Sequence, residues 1–397
     1  MKNKKAKRSN FFNHNYTNFT EHYIANEANY YGINSKSVLE RHIWIYEIHS
    51  QIQKRLKDRC ILKGGACAQL YIPLWEQRCT EDLDLYTNLS HNKLKSELSQ
   101  IVKELNSSKL QSKIHEYIPK SVILHGKTMP ITTFIFKLPF IYKESKKSIT
   151  SELKVDFLHI DINKLDINSV NNSKVLGLDL KYSPICISAY SIIGGKLLTF
   201  AVNTIGIERF KKDKLYKNVY DLFYLINRYN DVESLKQIGD TLKKNIGMEF
   251  HIKGIKTIDF EIIIEDILEE LYFLSIENLR DSYIGPSERI NDFQNNYIQY
   301  DIKSKLTFDQ WGIMTSHLFM WVYALKYYLI NDDTSKINLI CDVLAEYEYY
   351  NRLNENERLK YLDDIIRKLK EEKKSLIYNL IEEPLRLIYL YFIYFKL

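Results

Sequence analysis

The stretch Cys60-Ile-Leu-Lys-Gly-Gly-Ala-Cys-Ala-Gln-Leu-Tyr-Ile-Pro73, followed after Leu74 by Trp75-Glu-Gln-Arg-Cys-Thr-Glu-Asp-Leu-Asp-Leu-Tyr-Thr87, decides how the fold is read. Cys60 to Lys63 is short and apolar and predicts a strand. Gly64 and Gly65 predict a turn, and Ala66 to Tyr71 a helix that Pro73 ends, because proline cannot supply the amide hydrogen a helix interior needs. Glu81 to Tyr86 alternates charged with apolar side chains, as a strand does when one face meets a core and the other a cleft. Residues two apart on a strand share a face, so Asp82 and Asp84 point the same way. Glycine is scarce, 13 in 397 residues, so an adjacent pair marks a place where backbone must approach something closely.

Upstream, Val38, Leu39, Ile43, Trp44, Tyr46, Ile48 and Ile52 recur at three- and four-residue spacing, which predicts a long amphipathic helix from about Ser35 to Leu56, capped by Asn34 or Ser35. Downstream, a helix is expected over about Asn92 to Leu105, then strands at Ser121 to His125, Ile131 to Tyr142 and Glu152 to Ile160. In the last of these Asp156 is an acid among apolar neighbours. Asp161 lies on the same stretch, and the alternation of Lys154-Val155-Asp156-Phe157 favours Asp156. Beyond about Ser188 the period turns helical, with candidates at Ala189 to Val202, Lys214 to Arg228, Val232 to Lys244, Phe260 to Leu279, Phe308 to Ile330, Lys336 to Arg352, and Glu355 to Leu397 with a break near Pro384. The expected fold class is α+β: an N-terminal mixed sheet with flanking helices, then a large all-α C-terminal region. The expected division is a basic segment over 1–34, a sheet domain over 35–190, a helical element over 191–230 and a helical domain over 231–397.

Bulk properties exclude more than they assign. At 45% hydrophobic and 27% charged residues the chain is globular rather than disordered. A net charge of +6 suits a nucleotide or nucleic-acid partner without requiring one. Five scattered cysteines with no CxxC pair predict free thiols and a cytoplasmic home. The most apolar run, Leu385 to Leu397, carries Arg386 and Lys396 and is short of the roughly 20 residues that cross a bilayer. The basic start is followed by no apolar run and is not read as a secretory signal. The histidines show no zinc spacing, and Gly194-Gly195-Lys196 lacks the surroundings of a phosphate-binding Walker loop.

The chemistry these pieces fit is nucleotidyl transfer. It needs a nucleoside triphosphate held by its phosphates, Mg²⁺ or Mn²⁺ to neutralise charge in the in-line displacement, and a positioned hydroxyl. Glycines at a strand-to-helix junction let backbone N–H groups reach phosphate oxygens, and the helix N-terminus adds partial positive charge. Hard divalent cations take carboxylate oxygens, for which Asp82, Asp84 and Asp156 are the candidates. Lys63, Gly64 and Gly65 would address the triphosphate.

The strings Leu62-Lys-Gly-Gly-Ala and Arg78-Cys-Thr-Glu-Asp-Leu-Asp-Leu resemble the signature of the AbiEii/AbiGii-type nucleotidyltransferase toxins, a branch of the polymerase-β-like superfamily. Lys196-Leu-Leu-Thr-Phe-Ala, then Arg209, then Lys217-Asn-Val-Tyr-Asp-Leu-Phe-Tyr-Leu resembles the family's second element. With both motifs in order and 397 residues, the likeness is greatest to the AbiGii branch. The resemblance implies a polymerase-β-like sheet, Lys196 and Asp221 as further catalytic residues, and Arg78, Thr80 and Arg209 as nucleotide contacts. It further implies an RNA acceptor such as a tRNA 3′ end, a cognate antitoxin, and a role in phage defence by abortive infection. Two departures stand out: Asn218 replaces the aspartate that usually heads the D-x-x-D element, and Thr80 stands where serine is common. The competing readings are a non-enzymatic toxin that binds NTP or RNA by occupancy, kept open by Asn218, and a metal-dependent phosphodiesterase.

Overall fold

The computed structural model describes residues 12–107, 110–118, 129–142, 152–171, 173–207, 213–280, 288–372 and 383–397. The strand expected at Ser121 to His125 lies outside them. The chain divides into two compact units, Met1–Ile192 with Asn295–Asp301, and Ile193–Gln294 with Ile302–Leu397.

The first unit is built on a seven-stranded mixed sheet. Its strands are β1 (Cys60–Lys63), β2 (Asp82–Thr87), β3 (Lys113–Tyr117), β4 (Ile131–Lys137), β5 (Glu152–His159), β6 (Ile167–Ser169) and, after a small β7 (Lys174–Val175) and β8 (Leu178–Asp179) ribbon, β9 (Ile185–Ile187). The spatial order is β3-β4-β5-β2-β1-β9-β6. β2 runs antiparallel to β1 and parallel to β5, which is antiparallel to β4. Leu83, Leu85, Val155 and Phe157 are fully buried on one face, each worth about 1.5–3 kcal/mol of hydrophobic burial. A slip of one residue would turn the acids between them into that core, so the apolar alternation itself holds the register.

Helices α1 (Glu21–Tyr31), α2 (Lys36–Leu56), α3 (Gly64–Tyr71) and α4 (His91–Ser107) flank the sheet. α2 packs against β1, β2, β5 and α4, and the Ser35 hydroxyl caps it by accepting from Val38 N at 3.3 Å. α2 is buried nearly all round rather than on one stripe, and its inward polar groups hold loops. Glu40 accepts from the amides of Ile141 and Tyr142 at 2.8 and 2.9 Å. Glu47 accepts from those of Asn13 and His14, both at 3.1 Å, so part of the basic N-terminal segment is docked on this helix.

The structure departs from the periodicity in places. α3 begins at Gly64 itself, with no separate turn, because Gly64 takes a φ of +71° that turns strand into helix at once. β4 stops at Lys137, ahead of Pro139, which has no amide to continue a ladder. β3 went unforeseen because its residues alternate only between exposed and half-buried.

The second unit is helical. Its elements include the end of α5 (Ala189–Leu197), then α6 (Asp213–Arg228), α7 (Val232–Lys253), α8 (Phe260–Arg280) and most of α9 (Glu288–Tyr297). After α10 (Tyr300–Lys303) come α11 (Phe308–Asn331), α12 (Leu339–Arg352), α13 (Glu355–Glu372) and α14 (Pro384–Phe395). α11 is the central element, packed on α6, α7, α8 and α14 through Met314, Leu318, Trp321 and Leu325. α7 runs on from Lys244 to Lys253, past Gly247, whose missing side chain faces open space, and ends at Gly254 in the left-handed region. No helix among the described residues is long and apolar enough to cross a membrane.

Candidate active site

The register of four strands sets the site. Lys63 on β1 pairs with Asp84 on β2, Asp84 with Asp156 on β5, and Asp156 with Thr133 on β4. Directly paired residues share a face, so these form one row across the sheet. A second row begins two residues back, where Asp82 pairs with Lys154. The result is a square of side chains, Asp82 and Asp84 on one strand and Lys154 and Asp156 on the next. Asp161, the alternative acid, instead caps a short 3₁₀ turn by accepting from Asn163 N at 3.2 Å.

The glycine junction closes on this square. A methyl group added to Gly64 would lie 2.3 Å from Asp84 Oδ2, so the carboxylate rests against the backbone where α3 begins. No side chain caps that helix terminus, and its first amides have no partner within the helix. A methyl on Gly65 would lie 2.9 Å from Thr80 Oγ1 and 3.4 Å from an Arg78 guanidinium nitrogen. Thr80 is fixed from behind, since its amide donates to His42 Nδ1 at 3.0 Å. Burial lowers the pKa of that imidazole to about 3, with Arg78 adding to the effect, so His42 is neutral and accepts through Nδ1. Arg78 is buried, and its guanidinium donates to Cys79 O at 2.9 Å. Lys63 lies over the Tyr86 ring, 5.0 Å from its centre. His42, Thr133 and Lys154 were not among the residues singled out in the sequence. Their partners lie on other elements, and no local spacing announces them.

The square holds three carboxylates and one ammonium. Lys154 Nζ donates to Asp156 Oδ2 at 2.5 Å, and Thr133 Oγ1 donates to Asp156 Oδ1 at 2.5 Å. Burial lowers the Lys154 pKa, but the Asp156 hydrogen bond and charge, then Asp82 and Asp84, outweigh it and raise the group overall. The Asp82 carboxyl is pushed up to about 6, first by loss of bulk water and next by Asp84, while Lys154 pulls it down. Asp82 itself is exposed, and the strand register sets the like charges of Asp84 and Asp156 on the same face. Among the described residues no three His, Cys, Asp or Glu side chains are drawn together as a ready-made metal set; Asp156 is turned to Lys154 and Thr133 instead. The donor chemistry still suits a hard divalent cation, because three carboxylates share one face and a cation, the Lys154 ammonium, already sits on one of them.

In the second unit Lys196 Nζ pairs with Asp221 Oδ2 at 2.8 Å and donates to Asn218 Oδ1 at 2.9 Å. Asn218 Nδ2 donates onward to Thr199 Oγ1 at 3.0 Å. Asp221 is fully buried and Lys196 nearly so. The position that departs from the family pattern therefore still serves the lysine, as a neutral acceptor. Arg209 lies outside the described residues.

A glycine-initiated helix set against acidic strands of a mixed sheet defines a nucleotidyltransferase-type protein. The family model described as "Nucleotidyl transferase AbiEii toxin, Type IV TA system" matches residues 51–293, more than half of the chain. The chain belongs to that family. It is also similar to two solved structures, each at 15% identity. One is an antigenic nucleotidyltransferase-like protein from Paracoccidioides brasiliensis, with TM-score 0.30, covering 54% of this chain and 94% of its own. The other is an H. pylori protein described as a nucleotidyltransferase, with TM-score 0.36, covering 72% of this chain and 98% of its own. No curated protein matches the chain.

Proposed function

We propose that this toxin, of the AbiGii branch, transfers a nucleotide from an NTP to an RNA acceptor, such as a tRNA 3′ end, in phage defence, and that a cognate antitoxin restrains it in the cytoplasm. The observation that carries the reading is the Asp84 carboxylate lying against Gly64 where α3 starts, with Asp156 paired across from it. It supports the reading because a helix terminus of the kind that suits phosphate lies beside acids of the kind that suit a divalent cation. Asp82, Asp84 and Asp156 would hold Mg²⁺ or Mn²⁺, which when bound neutralises the triphosphate charge. The Gly64 and Gly65 amides bind phosphate oxygens, helped by Lys63, Thr80 and Arg78. Asp156, with Thr133 as its hydrogen-bond partner, accepts the proton of the attacking hydroxyl. The family motif makes Lys196 and Asp221 catalytic residues of the second unit, where Asp221 pairs with the lysine and orients it.

The test is incubation of the purified protein with each α-labelled NTP and total RNA. Transfer of label is expected from the wild type and not from Asp84→Ala, which should also lose toxicity. Shortened RNA in place of labelled RNA would favour a phosphodiesterase. Toxicity that persists in Asp84→Ala without any transfer would favour action by occupancy.

A further inference from the structure

Lys154 stands where the strand register would otherwise leave three like charges together. It is the direct cross-strand partner of Asp82, it donates to Asp156 at 2.5 Å, and the charges of Asp82 and Asp84 also act on it. Its side chain is 43% exposed against 19% for Asp156, so the ammonium can leave into water while the carboxylate stays. The other hydrogen bond to Asp156, from Thr133, does not depend on Lys154. Removing the ammonium would therefore leave Asp156 held by Thr133, its Oδ2 without the Lys154 partner, on the sheet face it shares with Asp82 and Asp84.

We propose that Lys154 is a resident counter-cation, a positioning residue that holds Asp156 in register until a divalent cation displaces its ammonium. The proposal rests on the metal-dependent reading given above. It makes cation binding an exchange of one positive charge for another, so affinity is set partly by how readily Lys154 lets go. The orienting contact from Thr133 stays in place through the exchange.

The test is Mn²⁺ binding, read by electron paramagnetic resonance of the free ion on the full chain with neither NTP nor RNA present. Lys154→Met is expected to tighten Mn²⁺ binding by tenfold or more. Lys137→Met is the charge control. It removes one positive charge from an exposed pair with Glu152, four residues and roughly 13 Å along the strand from Asp156, and should change affinity less than twofold. Equal tightening in both variants would mean long-range charge alone and overturns the exchange. Unchanged or weaker binding in Lys154→Met, with wild-type binding that Asp84→Asn abolishes, overturns it too and leaves the metal-dependent function standing. If neither wild type nor Lys154→Met binds Mn²⁺ above the Asp84→Asn level, the metal-dependent reading fails and the exchange with it. Circular dichroism of each variant confirms that it is folded.

Discussion

Each unit sets a lysine against an aspartate, and the two pairs are different objects. Lys196 and Asp221 meet at 2.8 Å with side chains 10% and 0% exposed, whereas Lys154 and Asp156 meet at 2.5 Å with side chains 43% and 19% exposed. The first pair is withdrawn from water and supplied with a second acceptor in Asn218. The second is half in water and outnumbered by carboxylates. Burial, not separation, decides which ion pair is part of the framework and which is free to exchange.

The largest expected effect tests that contrast directly. Asp221→Ala leaves the Lys196 ammonium buried beside a neutral amide and should cost about 3–5 kcal/mol of stability. Lys154→Met should change stability by no more than about 1 kcal/mol, because solvent already screens its pair. Urea unfolding of the two variants measures both. Equal losses would mean that exposure does not separate the pairs.

Next comes the glycine junction, where the backbone rather than a charge is at stake. Gly64→Ala places a methyl 2.3 Å from Asp84 Oδ2 on a residue whose φ is +71°. The left-handed conformation alone costs about 1–2 kcal/mol, and the carboxylate must move as well. Gly65→Ala meets the Thr80 hydroxyl at 2.9 Å and an Arg78 guanidinium nitrogen at 3.4 Å, both ends of side chains that a small shift relieves. Transfer activity should therefore fall much further in Gly64→Ala than in Gly65→Ala, as steady-state rates with saturating NTP would show. The reverse order would move the critical contact from Asp84 to Thr80.

What could be read in the sequence follows from how far each interaction reaches along it. The Gly64–Gly65 junction, the shared face of Asp82 and Asp84, and the strand carrying Asp156 all follow from neighbours within a few residues, where the periods of helix and strand apply directly. Lys154 reads locally as an ordinary outward residue of a strand. Only the pairing of β2 with β5, some seventy residues apart in the chain, makes it the partner of Asp82. His42 reads as one polar position of a helix. Its contact with the Thr80 amide depends on how α2 lies under β2, which no spacing encodes. The same limit explains β3 and β9, short strands whose membership in the sheet comes from their neighbours rather than from their own composition.

A smaller effect is expected at Asn218. Its Oδ1 already accepts from Lys196 at 2.9 Å, so the position supplies the hydrogen bond of the usual aspartate without its charge. Asn218→Asp adds that charge but gives up the Nδ2 donor to Thr199. Exchanging a neutral for an ionised acceptor on the charged Lys196 donor is worth about 1 kcal/mol, so the transfer rate should change by less than about tenfold. A much larger gain would show that charge, rather than the hydrogen bond, is what this position contributes.

The smallest expected effect is a titration at the exposed acid of the first unit. The Asp82 carboxyl is raised from 3.8 to about 6, so between those values the folded state binds a proton that the unfolded chain has released. Stability contributed by this group is therefore present at low pH and is lost as pH rises through that window. Because Asp82 is exposed, screening keeps the loss modest. Asp82→Asn should flatten the stability profile between about pH 4 and 6, as urea unfolding at stepped pH would measure. The carboxyl carbon of wild-type Asp82 should titrate near pH 6 by NMR. Asp84→Asn should lower that midpoint, because Asp84 is the like charge that acts most strongly on Asp82. A midpoint at the ordinary carboxylate value would mean that the paired strands do not hold their acids close enough to feel one another.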